Sequence, residues 1–363
     1  MNGKQFVADL LEWYDANCRA LPWRDDPQPY PVWISEIMAQ QTQMDRVVEY
    51  HTRWMTQYPD LQALAQASEE EVLKSWEGLG YYSRARNIRK AAAVILDEHG
   101  GIFPSEPKII QALPGIGEYT AGAISSIAFG KSVPAVDANV LRVFSRLLDI
   151  DLPVRDKAVK EEIQECVRGL IPEGRPGDFN QAIMEFGALI CSKRPACDGC
   201  PVQAYCQAHE KGVADQRPIL PLKKKTIRIE MSTGVLVYED KILIQKRKPD
   251  DVWPGLWEFP GGGIEAGETP EQALQREYQE EVELDVVPTE KIAVINYSYT
   301  RYRVTMHCYL CRLSNGDVPA PVFNEAVEGG FVTPDALSDY AFPSGHRRLI
   351  DFMRGDLRFA DRF

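Results

Sequence analysis

The sequence predicts two folds in succession, an all-α N-terminal region and an α+β C-terminal domain. Three observations predict it. A proline- and glycine-bearing hairpin, Leu113-Pro114-Gly115-Ile116-Gly117-Glu118-Tyr119-Thr120, separates two helical patterns. Four cysteines, Cys191, Cys197, Cys200 and Cys206, fall within sixteen residues. From Ile227 the apolar period changes from helical to alternating.

At 363 residues the chain is long enough for two cores. The formal charge of -12 argues against a wholesale electrostatic nucleic-acid binder. Residues 1–225 hold 26 Lys+Arg against 30 Asp+Glu and residues 226–363 hold 15 against 23, so any nucleic-acid contact is a local patch. No run of about 18 apolar residues occurs, and Met1-Asn2-Gly3-Lys4 lacks a signal-peptide layout. A soluble, cytoplasmic protein with no membrane partner is expected. Cys18, Cys166, Cys308 and Cys311 are scattered, unlike a secreted disulfide scaffold.

Taken in order, Phe6, Leu10, Trp13 and Tyr14 recur at helical spacing over residues 4–18, and Leu21-Pro22-Trp23-Arg24 ends that helix. A second helix follows Pro31. On it Glu36 lies among Trp33, Ile34, Ile37 and Met38, where a carboxyl keeps the proton a general acid needs. An ordinary exposed helix position is the other reading. Residues 69–99 supply two helices joined by Trp76-Glu77-Gly78-Leu79-Gly80-Tyr81-Tyr82-Ser83-Arg84-Ala85-Arg86, which offers either stacking faces with phosphate contacts or a solvated turn with core tyrosines.

In the hairpin, Pro114, Gly115 and Gly117 end one helix and leave uncovered backbone N–H groups at the start of a small-residue helix over residues 121–129, which suits a phosphate. Asp137 then stands alone in an apolar stretch, Pro134-Ala135-Val136-Asp137-Ala138-Asn139, as a placed carboxylate or a helix N-cap. Two helices are expected over residues 155–190, the second from residue 178 with Phe179, Ile183, Phe186 and Ile190 on its apolar face. The four thiols suit an iron-sulfur cluster or an all-cysteine zinc site, in a structural role, with Lys193 and Arg194 fitting a phosphate-contacting loop. A basic, proline-bearing connector ends at Lys225 and sets the boundaries at 1–206, 207–225 and 226–363.

The second domain opens on a hairpin, Val235-Leu236-Val237-Tyr238, a turn at Glu239-Asp240, then Lys241-Ile242-Leu243. Further on, Glu277, Glu280 and Glu281 share one helix face that can hold Mg2+ against a pyrophosphate, or that is simply solvated. Residues 297–305 alternate like one strand with a basic, aromatic edge, and a short helix covers residues 344–354.

The hairpin followed by Asp137 resembles the helix-hairpin-helix plus Asp signature of the DNA glycosylase superfamily that includes endonuclease III. With Ser35-Glu36-Ile37-Met38-Ala39-Gln40-Gln41-Thr42 and the cysteine motif, the resemblance is closest to the adenine DNA glycosylases, the MutY family, over nearly the whole chain. Gly262 to Glu281 resembles the Nudix box. The resemblance implies an N-terminal helix-hairpin-helix glycosylase with an iron-sulfur subdomain and a C-terminal Nudix-like domain. It implies removal of adenine opposite 8-oxoguanine or guanine in double-stranded DNA by a monomer, with Glu36 as acid, Asp137 as stabilising carboxylate and Asn139 orienting it. Gln41 would wedge into the stack, Leu79 and Tyr81 would intercalate, Gly115 and Gly117 would hold phosphate, and Tyr299, Thr300 and Arg301 would read the damaged guanine. Cys191, Cys197, Cys200 and Cys206 would carry a [4Fe-4S] cluster. Tyr119 stands where lyase-type relatives have lysine, which implies base removal without efficient strand cleavage and a residue ordering the site beside Asp137. Five features depart from the pattern: Ala39 for leucine, a first cysteine gap one residue short, Tyr278 for an aliphatic residue, Glu283 for glycine, and Arg301 for histidine. The rivals are a lyase-active relative of endonuclease III and a Nudix nucleotide pyrophosphatase with a DNA-binding N-terminal region.

Overall fold

The computed structural model describes residues 2–221, 225–315 and 320–359; residues 222–224 of the expected connector lie outside them. Among the described residues, helical elements fill the chain up to Gln216 and strands begin at Ile227. The chain divides into one unit of Met1–Ala67 with Asn87–Lys223, and another of Ser68–Arg86 with Lys224–Phe363. No helix is long and apolar enough to cross a membrane among the described residues.

In the first unit, helices Gly3–Asn17, Ala138–Leu147, Lys157–Leu170 and Pro176–Leu189 close on a core that includes Phe6, Leu10, Val143, Phe144, Ile163, Phe179 and Ile183. Each such side chain contributes roughly 1.5–3 kcal/mol on leaving water. Helix Pro29–Ala39 starts on prolines, which need no N–H partner in the first turn, and buries Val32, Trp33, Ile34, Ile37 and Met38. That leaves Glu36 as the acid of a largely buried helix. The small-residue helix is Glu118–Ile127, beginning three residues earlier and ending two residues earlier than its sequence pattern suggested. Gly117 caps it in extended conformation, so Glu118 and Tyr119 already lie in its first turn. Gly122 allows the chain to return across this helix, since a Cβ there would lie 2.2 Å from the Pro134 carbonyl oxygen.

In the second unit, Ile227–Tyr238 pairs in parallel with Tyr302–Leu313, which pairs antiparallel with Val286–Tyr299. The mixed sheet continues through Lys241–Arg247 to Trp257–Glu258. Alternation along the strands supplies both faces: Val235, Ile244, Met306 and Cys308 pack toward Leu349, Ile350 and Met353 of helix Ser344–Gly355. Leu236, Leu243, Tyr309 and Cys311 pack toward Leu274, Tyr278 and Val282 of helix Pro270–Val282. Glu283 ends that helix at φ 55, doing with a side chain what glycine does without strain. The Glu239-Asp240 turn is left-handed at both positions, as a two-residue hairpin requires.

Two features differ from the sequence reading. Residues 297–305 are not one strand: Tyr299 pairs with Tyr302 across a turn at Thr300 and Arg301, where Thr300 has φ 51. A two-residue turn sets Tyr299 and Tyr302 on one face, so the inward positions pass from Tyr297 and Tyr299 to Tyr302 and Val304, and this shift of phase at Thr300 and Arg301 is the mark of the turn. Residues 68–86 group with the sheet unit, where Glu77 accepts from Arg347 Nε at 2.8 Å and from the Phe342 N–H at 2.9 Å.

Candidate active site

Glu36, Tyr119, Asp137 and Asn139 all belong to the helical unit, and the fold assembles them in two bonded pairs. The Tyr119 hydroxyl donates to Glu36 Oε2 at 2.5 Å, and Met184 Sδ lies 3.2 Å from the same hydroxyl. Burial pushes the Glu36 carboxyl up to about 7, against the pull of the Tyr119 hydrogen bond; the charge of Asp137 adds to the rise and that of Arg24 opposes it. Burial and the neighbouring carboxylates hold the Tyr119 hydroxyl well above its ordinary range, so it stays a proton donor.

Asp137 is the helix N-cap its sequence allowed, close enough to Glu36 for its charge to act there. It caps helix Ala138–Leu147, accepting from the Val140 N–H at 2.8 Å, and its other oxygen accepts from Asn139 Nδ2 at 2.7 Å. Burial raises its pKa, and these hydrogen bonds oppose the rise by favouring the ionised form. Tyr119 therefore orders Glu36 by hydrogen bond, whereas Asp137 is ordered by Asn139. One site thus holds a carboxyl poised near neutrality and a second carboxyl held by donors, the separation of roles that acid and electrostatic catalysis require.

The hairpin supplies Gly115 at φ 76, where a Cβ would also meet the Asn87 side chain at 2.5 Å, and exposed Gly117, whose cap leaves the following N–H groups without a side-chain acceptor. Gln41 is exposed just beyond helix Pro29–Ala39 at φ 61. In the sheet unit Leu79 is buried, at 8% exposure, and Tyr81 is half-buried at φ 47. Tyr299 is half-buried, its ring centroid 6.0 Å from that of Tyr81, while Thr300 and Arg301 are exposed at the hairpin tip.

Cys191, Cys197, Cys200 and Cys206 are free thiols lining a single cavity, together with Phe186, Val143 and His209. Buried Arg146 braces its rim, donating to the carbonyls of Cys191 and Ser192 at 3.1 and 2.6 Å and to Cys191 Sγ at 3.2 Å. Among the described residues no three His, Cys, Asp or Glu side chains are grouped closely enough for one metal ion.

On helix Pro270–Val282 the three acids have different partners. Arg276 bonds Glu277 at 3.0 Å and Glu280 at 3.1 Å, as well as Glu268 at 2.8 Å. Glu281 turns inward, accepting from the Gly261 N–H at 2.9 Å and Gln245 Nε2 at 3.0 Å, and burial pushes its carboxyl up to about 8.

Three groups around Glu36 and Asp137 were missed in the sequence. Arg142 donates to Asn139 Oδ1 at 2.8 Å and to the Cys191 carbonyl at 2.9 Å. Glu185, 2% exposed, accepts from Arg19 and Arg24, whose hydrogen bonds overcome burial and hold it at about 2. Met184 touches Tyr119. The signal that singled out Glu36, an acid among apolar helix residues, was available for Glu185 between Ile183 and Phe186.

Residues 34–168 match the family described as the HhH-GPD superfamily of base excision DNA repair proteins, and residues 232–352 match the NUDIX domain. The adenine DNA glycosylase of Rattus norvegicus is 35% identical over 87% of this chain and 72% of its own length. That of Buchnera aphidicola is 35% identical over 69% of this chain and 72% of its own. Among solved structures, a thermostable thymine-DNA glycosylase superposes with a TM-score of 0.53 at 32% identity, covering 58% of this chain and 97% of the other.

Proposed function

The chain belongs to the adenine DNA glycosylase family, and we propose that it releases adenine paired with 8-oxoguanine, and with guanine, by hydrolysis without strand cleavage. It is a base excision repair glycosylase with a helix-hairpin-helix unit and a Nudix-fold unit. The observation that carries the mechanism is the Tyr119–Glu36 hydrogen bond within reach of the Asp137 charge.

The adenine is extruded from the duplex, since its glycosidic bond is out of reach in the stack. Gln41, exposed beyond helix Pro29–Ala39, acts at the vacated stack, and the N–H groups after Gly115 and Gly117 hold a backbone phosphate. Glu36, protonated in a substantial fraction near pH 7, gives its proton to a purine nitrogen while the base departs. The sugar gains oxocarbenium character, which the Asp137 carboxylate stabilises from its bonds to Val140 and Asn139. Water completes the abasic site. Tyr119 has no amine to attack the sugar, which supports a monofunctional enzyme. Thr300 and Arg301 at the exposed tip of the sheet unit are donors suited to the base opposite adenine.

Cys191, Cys197, Cys200 and Cys206 would hold a [4Fe-4S] cluster. The all-thiol donor set around one cavity suits such a cluster. When bound it would cross-link the loop after helix Pro176–Leu189, on whose Cys191 carbonyl Arg142 is braced.

The test is single-turnover adenine release from duplexes with A opposite 8-oxoguanine, G and T. Fast release from the first and little from the last is expected. Equal rates on all three would refute the mispair assignment, and release with concurrent strand nicking trapped by borohydride would refute the monofunctional one.

A further inference from the structure

One face of helix Pro176–Leu189 backs the site. Gly177, Asn180, Met184 and Gly187 recur along it at helical spacing. Met184 lies against the Tyr119 hydroxyl at 3.2 Å. A Cβ at Gly177 would lie 2.7 Å from the Ser126 carbonyl oxygen, and one at Gly187 would lie 2.8 Å from the Asn139 Cβ, so the helix reaches both neighbours at backbone distance. Between these two contacts stands Asn180, the polar member of the face and fully buried.

Asn180 spends its whole amide on two neighbours. Its Oδ1 accepts from the Ala135 N–H at 3.1 Å, and its Nδ2 donates to the Val133 carbonyl at 2.9 Å and to Ser126 Oγ at 2.8 Å. Val133 and Ala135 belong to the loop of residues 130–137, which forms neither helix nor strand and ends in Asp137. Pro134 between them has no N–H to bond, and the Val133 N–H turns back on the Lys131 carbonyl at 2.8 Å. Two backbone anchors of the loop just before Asp137 thus come from one side chain. A buried peptide group without a partner is costly, and a hydrogen bond constrains both distance and angle, so this amide fixes where the loop runs. A leucine of similar size would fill the same space and leave both peptide groups unpaired.

We propose that Asn180 is a positioning residue for Asp137: it fixes the backbone at 133–135 so that the Asp137 carboxylate meets the sugar, and, being fully buried, it acts through that carboxylate rather than on the substrate. The proposal rests on the reading that Asp137 stabilises the charged sugar. The cap bonds to Val140 and Asn139 hold the carboxylate against the helix that follows, and Asn180 holds the loop that precedes it. Loss of the amide frees the loop at both anchors, and a shift of about 1 Å in a catalytic group costs on the order of 10²-fold in rate.

The experiment is a double-mutant cycle in the full-length protein, read as single-turnover adenine release from an A:8-oxoguanine duplex. Asn180→Ala is expected to slow release about 10- to 100-fold, while affinity for a duplex carrying a hydrolysis-resistant 2′-fluoro adenosine stays within about twofold of wild type. In the Asp137→Asn background the same substitution is expected to cost less than about threefold, because the group it positions has lost its charge. Asn180→Asp keeps the acceptor for the Ala135 N–H and, protonated by burial, returns one donor, so its rate lies between those of Asn180→Ala and wild type. It runs the same cycle if Asn180→Ala does not fold. Slowing by the same factor in both backgrounds, a parallel loss of affinity, or a rate near wild type overturns the proposal. Asp137→Asn that releases adenine near the wild-type rate overturns instead the reading of Asp137.

Discussion

Replacing Tyr119 with phenylalanine removes one hydroxyl and leaves the ring. That hydroxyl donates to Glu36 Oε2 at 2.5 Å and favours the ionised carboxylate, against the burial that lifts its pKa to about 7. A hydrogen bond to a charged group contributes about 1.5–3 kcal/mol, so at 1.36 kcal/mol per unit its loss raises the Glu36 pKa by roughly 1–2 units. The acid must be protonated to act, so wild-type release falls above pH 7 while the variant holds its rate to about pH 8–9. At pH 9 about 1% of wild-type Glu36 carries a proton, against roughly 10–50% in the variant, so the variant is about tenfold or more faster there. At pH 6 both are largely protonated and differ little. The assay is single-turnover adenine release from an A:8-oxoguanine duplex between pH 5.5 and 9.5, with circular dichroism to confirm folding. An alkaline limb that stays in place, or moves to lower pH, refutes the assignment of Glu36 as the acid tuned by Tyr119.

Asp137→Asn keeps an oxygen for the Val140 N–H but loses the negative charge, so release slows by about 10²–10³-fold while the melting temperature stays within a few degrees; a rate near wild type would remove Asp137 from the chemistry. Glu185 is held at about 2, below the ordinary carboxylate value, so its ion pairs stabilise the fold above about pH 4.5 and lose that contribution as pH falls toward 2. In urea titrations Glu185→Gln should cost about 3 kcal/mol at pH 7, with the gap to wild type narrowing below pH 4.5; a pH-independent gap would show that the loss is not ionic. The purified protein should contain iron and inorganic sulfide in the ratio of a [4Fe-4S] cluster, and Cys200→Ser should lose both, whereas zinc at one ion per chain would overturn the cluster assignment.

Sequence alone determined the elements whose cause is local. Prolines and glycines at 114, 115 and 117 break the helix wherever the chain goes, the change of period at Ile227 reports burial on one stripe or on two faces, and cysteine spacing restricts what the loop can bind. Glu36 was legible because an acid among Trp33, Ile34, Ile37 and Met38 is a conflict within a single helix. The tertiary structure decided what depends on partners distant in the chain. Tyr119 was expected to order the site beside Asp137; the carboxyl its hydroxyl bonds is that of Glu36, 83 residues away, while Asp137 is held from within its own cap. No local pattern separates those outcomes, because both put the phenol near a carboxylate. The turn at Thr300 and Arg301 shifts the alternation by one residue, too little to stand out in a nine-residue stretch, and Tyr81 and Tyr299, whose rings lie 6.0 Å apart, come from stretches that share no period. Hydrogen bonds and ring contacts act over a few ångströms, and only the folded chain brings residues so far apart in sequence within that range.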